Sequence, residues 1–160
     1  MITSVGRLTK ELHHVQRSPD ADITISLPDK TNILLWEAVL SGPPGTPYEG
    51  GRYRLMLQMP RDYPMVPPVA KFITKVFHPN VNFDSGDVCL DILKNRWSPA
   101  WTIRSVCRAI LSLLTDPDPS SPFNCDAGNL LRAGDLMGYN SLVRLYAITQ
   151  AGATPFNDDE

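Results

Sequence analysis

The stretch that decides how this chain folds is His78-Pro79-Asn80-Val81-Asn82-Phe83-Asp84-Ser85-Gly86-Asp87-Val88-Cys89-Leu90-Asp91-Ile92-Leu93-Lys94-Asn95-Arg96-Trp97-Ser98-Pro99-Ala100-Trp101. It holds no sustained period of 2 or 3.6, and prolines, asparagines and a glycine punctuate it. It reads as an irregular, turn-rich segment that presents Cys89 toward solvent. A thiol reacts as its thiolate and only where a partner can reach it, so this placement makes Cys89 the candidate reactive group. Taken alone, a lone cysteine is more often a small buried hydrophobe.

Working outward from that segment, the chain changes character on either side. Upstream, residues 23–27, 32–40, 53–59 and 69–73 alternate as four short strands, and turn-rich connections join them into an antiparallel meander. Residues 41–51, with three prolines and four glycines, form a loop. Before the strands, Val5, Leu8, Leu12 and Val15 share one helical face that ends near Arg17, and Arg7, Lys10 and Glu11 fall on the opposite, polar face. Downstream, Ile103, Val106, Cys107, Ile110, Leu113 and Leu114 form one stripe of a long helix stopped by Asp116-Pro117. A short helix follows over residues 126–133. A last helix begins at an Asp135 cap and carries Leu136, Tyr139, Val143, Tyr146 and Ala147 on one side. The fold class is α+β: an N-terminal helix, a four-stranded antiparallel meander sheet and C-terminal helices. Residues 1–151 form one domain and residues 152–160 a flexible acidic tail.

Bulk composition narrows the chemistry. The formal net charge of −2 gives no long-range attraction to nucleic acid or anionic membrane. No run of eighteen apolar residues exists, so direct membrane insertion is not expected. The first residues lack the basic and apolar pattern of a secretory leader, and the end is not a Ser-Lys-Leu address. Three cysteines, at 89, 107 and 125, imply free thiols in a reducing compartment. His13, His14 and His78 lack zinc-site spacing, and neither phosphate-cradling nor nucleophile-elbow motifs occur, so no metal or cofactor is expected.

Six motifs stand in order: GPPGTPYEGG at 42–51, DYPxxPP at 62–68, HPN at 78–80, CLDIL at 89–93, WSPA at 97–100 and LLxDPxPxxP at 113–122. In that order they resemble the ubiquitin-conjugating enzyme family, over roughly residues 7–122. The run from Asn124 to Asp135 departs from common members and resembles the peroxisomal, peroxin branch. The segment between HPN and the cysteine is also one residue longer than in most members, as in that branch.

The resemblance implies a ubiquitin-conjugating fold and an acyltransferase. Cys89 takes ubiquitin's C-terminal carboxyl group as a thioester. That group transfers readily because a thioester is poorly stabilised by resonance. A RING-type ligase then helps pass ubiquitin to a peroxisomal import receptor, which allows the receptor to recycle. ATP is used by the ubiquitin-activating enzyme, not by this chain.

Asn80 either donates to the transition-state oxyanion or braces the loop that does. His78 and Pro79 order backbone. Asp91 follows the thiol by two, and the resemblance implies that Asp118 and Ser121 lie across the thiol groove, where the family often has an asparagine and an acid in their place. An acid helps deprotonate an incoming lysine, whose ordinary pKa is about 10.4, and a serine does not. That departure suits a thiol acceptor, with a pKa of about 8.5, unless Ser120 and Ser121 are plain turn residues.

The resemblance implies that Arg7, Lys10, Met65, Ser98, Pro99 and Ala100 form the face for the activating enzyme and ligase. By spacing alone the two cations on the helix are a solvated face. Trp97 and Trp101 read as packing residues and Cys107 as core. The divergent last helices fit a peroxisomal membrane anchor protein, which would recruit a cytoplasmic enzyme to the cytosolic face of that membrane. Three alternatives stay open: a general cytosolic conjugating enzyme with a divergent C-terminus, one for a ubiquitin-like modifier, and a non-catalytic adaptor on the same scaffold.

Overall fold

A computed structural model describes residues 3–155. Helix α1, Ser4–Arg17, opens on Thr3, whose side chain accepts a hydrogen bond from the Gly6 amide at 3.1 Å. Strands β1 (Ile23–Ser26), β2 (Leu35–Ser41), β3 (Arg52–Gln58) and β4 (Val69–Phe72) follow, in the spatial order β1-β2-β3-β4 with every pair antiparallel. The expected meander is therefore present, with its ends shifted by up to three residues.

The alternation along the strands fixes which side is buried. Trp36, Ala38 and Leu40 of β2 and Tyr53, Leu55 and Leu57 of β3 point into the core. Helix α2, Ile103–Thr115, lies across β1 and β2 and closes that core with Ile103, Val106, Cys107, Ile110 and Leu114. Each fully buried side chain of this size contributes about 1.5–3 kcal/mol. A reciprocal capping box between Thr102 and Ser105 fixes the start of α2. Helices α3 (Cys125–Arg132) and α4 (Leu136–Ala151) pack on each other, capped by Asn124 and Asp135.

Three expectations about helix faces need correction. Glu11 is not on a solvated face: it is 8 % exposed. One carboxylate oxygen accepts from the Ile103 amide at 2.7 Å, and the other from the Tyr63 hydroxyl at 2.5 Å and Arg7 Nε at 3.2 Å. A buried acid is tolerable when its oxygens are filled in this way. Val5 and Leu136, expected on the packed faces of α1 and α4, are exposed, because each lies in the first turn beyond the reach of the core.

Gly152 ends α4 in the left-handed conformation, with φ 76°. The chain then folds back: the Ala153 amide donates to Ala147 O at 2.9 Å, and Arg144 Nη2 donates to Thr154 O at 2.7 Å. Residues 152–155 are thus fastened to α4, and residues 156–160 of the expected tail lie outside the described residues.

Candidate active site

The His78-Pro79-Asn80 triplet is the hub of the site. His78 is completely buried. Its Nδ1 accepts from the Asn80 amide at 3.0 Å, so that nitrogen carries no proton, and Nε2–H donates to Leu113 O of α2 at 2.7 Å. Burial lowers its pKa to about 4, so the ring is neutral near pH 7. Both nitrogens are engaged with backbone, which leaves neither free to move a proton.

Pro79 O accepts the amides of Phe123 and Asn124, at 2.8 and 3.1 Å. Asn80 O accepts the Cys89 amide at 2.8 Å. Asn80 itself is buried, and its side-chain amide meets both backbone groups of Asp118: Nδ2 donates to Asp118 O and Oδ1 accepts from Asp118 N, each at 2.8 Å. Three consecutive residues thereby fix the thiol backbone, the end of α2 and the loop after it.

Between the triplet and Cys89 the chain reverses through residues 82–87. Gly86 makes this turn with φ 78°, and a Cβ there would sit 2.0 Å from Phe72 O. Glycine is required on both counts. The bridge between Val81 and Val88 then delivers Cys89 beside Asn80.

Cys89 is half-buried, while Cys107 is fully buried and Cys125 is exposed. Burial pushes the Cys107 thiol up to about 12, so it is inert. Lys94 Nζ donates to Cys89 Sγ at 3.9 Å and lies 5.2 Å from the centroid of the Phe123 ring. Lys94 and Phe123 also line a cavity of about 270 Å³ with Val69, Asp87, Val88 and Leu93. Asp91 is exposed at the start of a short 3-10 helix, Asp91–Leu93, and its carboxylate pairs with Arg96 at 3.6 Å.

Asp118 and Ser121 are exposed on the loop after α2. Asp118 Oδ1 accepts from Ser120 Oγ at 2.5 Å and Ser120 N at 3.0 Å. These bonds, the hydroxyl first, hold the Asp118 carboxyl below its ordinary range and make it a weaker base.

The remaining sequence candidates converge on a separate face. Arg7 Nη2 donates to Pro99 O at 2.8 Å and to Trp101 O at 3.0 Å, which joins α1 to the Ser98-Pro99-Ala100 turn. Trp97 Nε1 donates to Pro64 O at 2.9 Å and brings the loop carrying Met65 alongside. Met65 is 72 % exposed, Lys10 is exposed, and Ser98, Pro99 and Ala100 are all exposed.

Lys94 and Phe123 were not found from the sequence. Phe123 was detectable as an aromatic stranded in a polar, proline-rich loop. Lys94 carried no signal, because its approach to Cys89 depends on the chain direction after the 3-10 turn. Among the described residues no cluster of side chains could hold a metal ion, and no helix is long and apolar enough to cross a membrane. Chemically, the arrangement offers a half-buried thiol on a pinned backbone, beside an amine, with the loop after α2 braced by the same triplet. Such a site can carry an acyl group and hand it on.

Comparison with known proteins agrees with that chemistry. The family model described as ubiquitin-conjugating enzyme matches residues 7–147. The chain is 54 % identical to Protein PEROXIN-4 of Arabidopsis thaliana over 156 residues, which covers 97 % of this chain and 98 % of the relative. It is 48 % identical to the ubiquitin-conjugating enzyme pex4 of Dictyostelium discoideum, across 88 % of this chain and 95 % of that one. Among solved structures, a ubiquitin conjugating enzyme domain from Toxoplasma gondii superposes with a TM-score of 0.83 at 37 % identity, over 92 % of this chain and 98 % of the other. With the meander, the braced thiol loop and these likenesses together, the chain belongs to the ubiquitin-conjugating enzyme family, in its peroxin branch.

Proposed function

We propose that Cys89 receives ubiquitin from the activating enzyme as a thioester and, with a RING-type ligase, passes it to a peroxisomal import receptor so that the receptor can recycle. The observation that carries this reading is the position of the thiol. Cys89 is half-buried on a backbone pinned by Asn80, and the loop after α2 is pinned by the same residue.

In the loading step the Cys89 thiolate attacks the activating enzyme's thioester, the new C–S bond forms, and the old thiolate leaves. In the discharge step an acceptor attacks the same carbonyl and Cys89 departs as the thiolate. We read Asn80 as the brace that keeps residues 116–122 over the reacting carbonyl, because its amide is engaged at both ends by Asp118. Asp118, with Ser120 bound to its carboxylate, is a poor base for stripping a proton from a lysine. This supports a cysteine acceptor, which is half ionised about two pH units lower than a lysine.

The face containing Arg7, Lys10, Met65 and the Ser98-Pro99-Ala100 turn is where the activating enzyme and the ligase dock. The anchor protein docks on α4, which exposes Leu136, Met137 and Leu145, with Met137 82 % exposed. Apolar side chains this open on a helix fit a protein partner. The names of the Arabidopsis and Dictyostelium relatives support the peroxisomal assignment.

The test is complementation of cells lacking their own conjugating peroxin. Wild type restores peroxisomal matrix import, and Cys89→Ala does not. If wild type fails while a general cytosolic conjugating enzyme succeeds, the peroxisomal reading is wrong and the general alternative stands.

A further inference from the structure

We propose that the cavity of about 330 Å³ between the loop after Asn80 and the start of α3 is a subsite for the acceptor peptide. It takes an arginine or lysine side chain that lies a few residues from the acceptor residue itself. This inference rests on the thioester reading of Cys89 and on a thiol acceptor.

The walls of the cavity are aromatic. Phe77 stacks on Tyr146 of α4 with ring centroids 5.9 Å apart, and Phe83 meets Tyr146 at 4.9 Å. Phe123 is shared with the smaller cavity that Lys94 lines. Such walls suit the apolar stem of a long basic side chain. The charged lining groups are Asp84 and Asp126, both exposed, and among the described residues neither is in an ion pair. Lys75 and Lys94 lie over the Phe83 and Phe123 rings, 4.8 and 5.2 Å from the centroids, but neither lines the cavity. Lys75 is further engaged with Phe83 O at 3.1 Å. The lining is therefore complementary to a cation.

A buried donor points to a peptide rather than a free ion. Asn124 is 8 % exposed and borders the cavity. Its Oδ1 caps α3 by accepting the Ala127 amide at 3.1 Å, which fixes the orientation of the side-chain amide. Nδ2 then donates to no group among the described residues. A buried donor left without an acceptor is costly, and a peptide carbonyl entering the cavity would satisfy it.

The cavity is close to the chemistry. Lys94 Nζ is 3.9 Å from Sγ and 5.2 Å from the Phe123 centroid, so that ring is within about 9 Å of the sulfur, the span of roughly three extended residues. An acceptor thiol at the thioester thus places a neighbouring side chain at the cavity. In discharge the acceptor thiolate attacks the carbonyl, the new C–S bond forms, and Cys89 leaves as thiolate. The subsite changes none of these steps. It lowers the concentration of acceptor needed, by binding ground state and transition state alike.

In the experiment, full-length enzyme charged with activating enzyme, ATP and ubiquitin is discharged in single turnover to short acetylated peptides. Each peptide carries one cysteine and, three residues to either side of it, arginine, glutamine or glutamate. Free cysteine is the control. The arginine peptides should half-saturate at a concentration at least tenfold below the glutamate peptides, with a similar maximal rate. In Asp84→Asn combined with Asp126→Asn that difference should shrink at least fivefold, while discharge to free cysteine stays unchanged. Asn124→Ser, which keeps a capping oxygen, should weaken all the peptides alike. Equal half-saturation for arginine and glutamate peptides overturns the proposal. A preference that survives the double substitution, peptides unaffected by Asn124→Ser, or discharge to free cysteine but to no peptide overturns it too. A wild type that loads but does not discharge to free cysteine overturns the thiol-acceptor reading, and one that never loads overturns the Cys89 reading. This inference falls with either.

Discussion

Asn80 holds Asp118 by both of its backbone groups, with Nδ2 to O and N to Oδ1 each at 2.8 Å. A single side chain from the HPN triplet therefore replaces a rung of sheet for a loop 38 residues away. If this brace is the role of Asn80, Asn80→Ala loses stability as well as activity. Two lost hydrogen bonds predict a deficit of about 1–3 kcal/mol in urea unfolding, together with slower discharge. A residue acting only as an oxyanion donor would slow discharge and leave the unfolding midpoint unchanged.

His78 makes stability depend on pH. Its pKa falls from the ordinary 6.5 to about 4 in the folded protein. Between those values the unfolded chain binds the proton and the folded one does not, so acid favours unfolding. The contribution is complete above about pH 6.5, fades as pH falls to 4, and changes no further below. Its full size is about 3 kcal/mol. Urea unfolding of wild type and His78→Gln from pH 7.5 to 4 checks this. Wild type should lose more stability than the variant across that window, and parallel curves would refute it.

Glu11 accepts three hydrogen bonds that link α1, the Tyr63 loop and the start of α2. Glu11→Ala leaves the Tyr63 hydroxyl and Ile103 amide without their acceptors in a buried setting. The expected loss is roughly 2–4 kcal/mol by chemical denaturation, with Glu11→Gln costing less. A change within 0.5 kcal/mol, the range of ordinary surface substitutions, would show that the network is dispensable.

The three thiols should react in an order set by exposure. A maleimide probe on the native protein should label Cys125 and Cys89 and spare Cys107, whose thiol burial raises to about 12. Labelling of Cys107 at the rate of the other two would contradict the packing of α2 on the sheet.

Ser121 tests acceptor preference. Discharge of loaded enzyme to free cysteine should exceed discharge to free lysine, and Ser121→Asp should raise the lysine rate by roughly 10²-fold, the lower end of general-base effects. A wild type that prefers lysine, with the variant unchanged, removes the idea of a gate tuned for thiols.

Much of this was legible in the sequence because the signals were local. Alternation marked β2 and β3, a 3.6-residue stripe marked α2, and Asp135 marked the start of α4. The motif order placed Cys89, Asn80 and the partner face. What stayed hidden depends on contacts between distant segments. Glu11 reads as a surface acid until Tyr63 and the Ile103 amide arrive to fill its oxygens. Lys94 reads as one more exposed lysine until the 3-10 turn aims it at Cys89. The two-sided bond from Asn80 to Asp118 cannot be inferred from either residue alone.

The most direct test of the central claim is a charging assay on purified Cys89→Ser beside wild type, with activating enzyme, ATP and ubiquitin. Wild type should form an adduct that reductant removes. The variant should form one that reductant spares and mild alkali cleaves, because an oxygen ester replaces the thioester at the same position. A reductant-sensitive adduct in Cys89→Ser, or none in wild type under conditions that charge another conjugating enzyme, would show that ubiquitin is not carried on this sulfur.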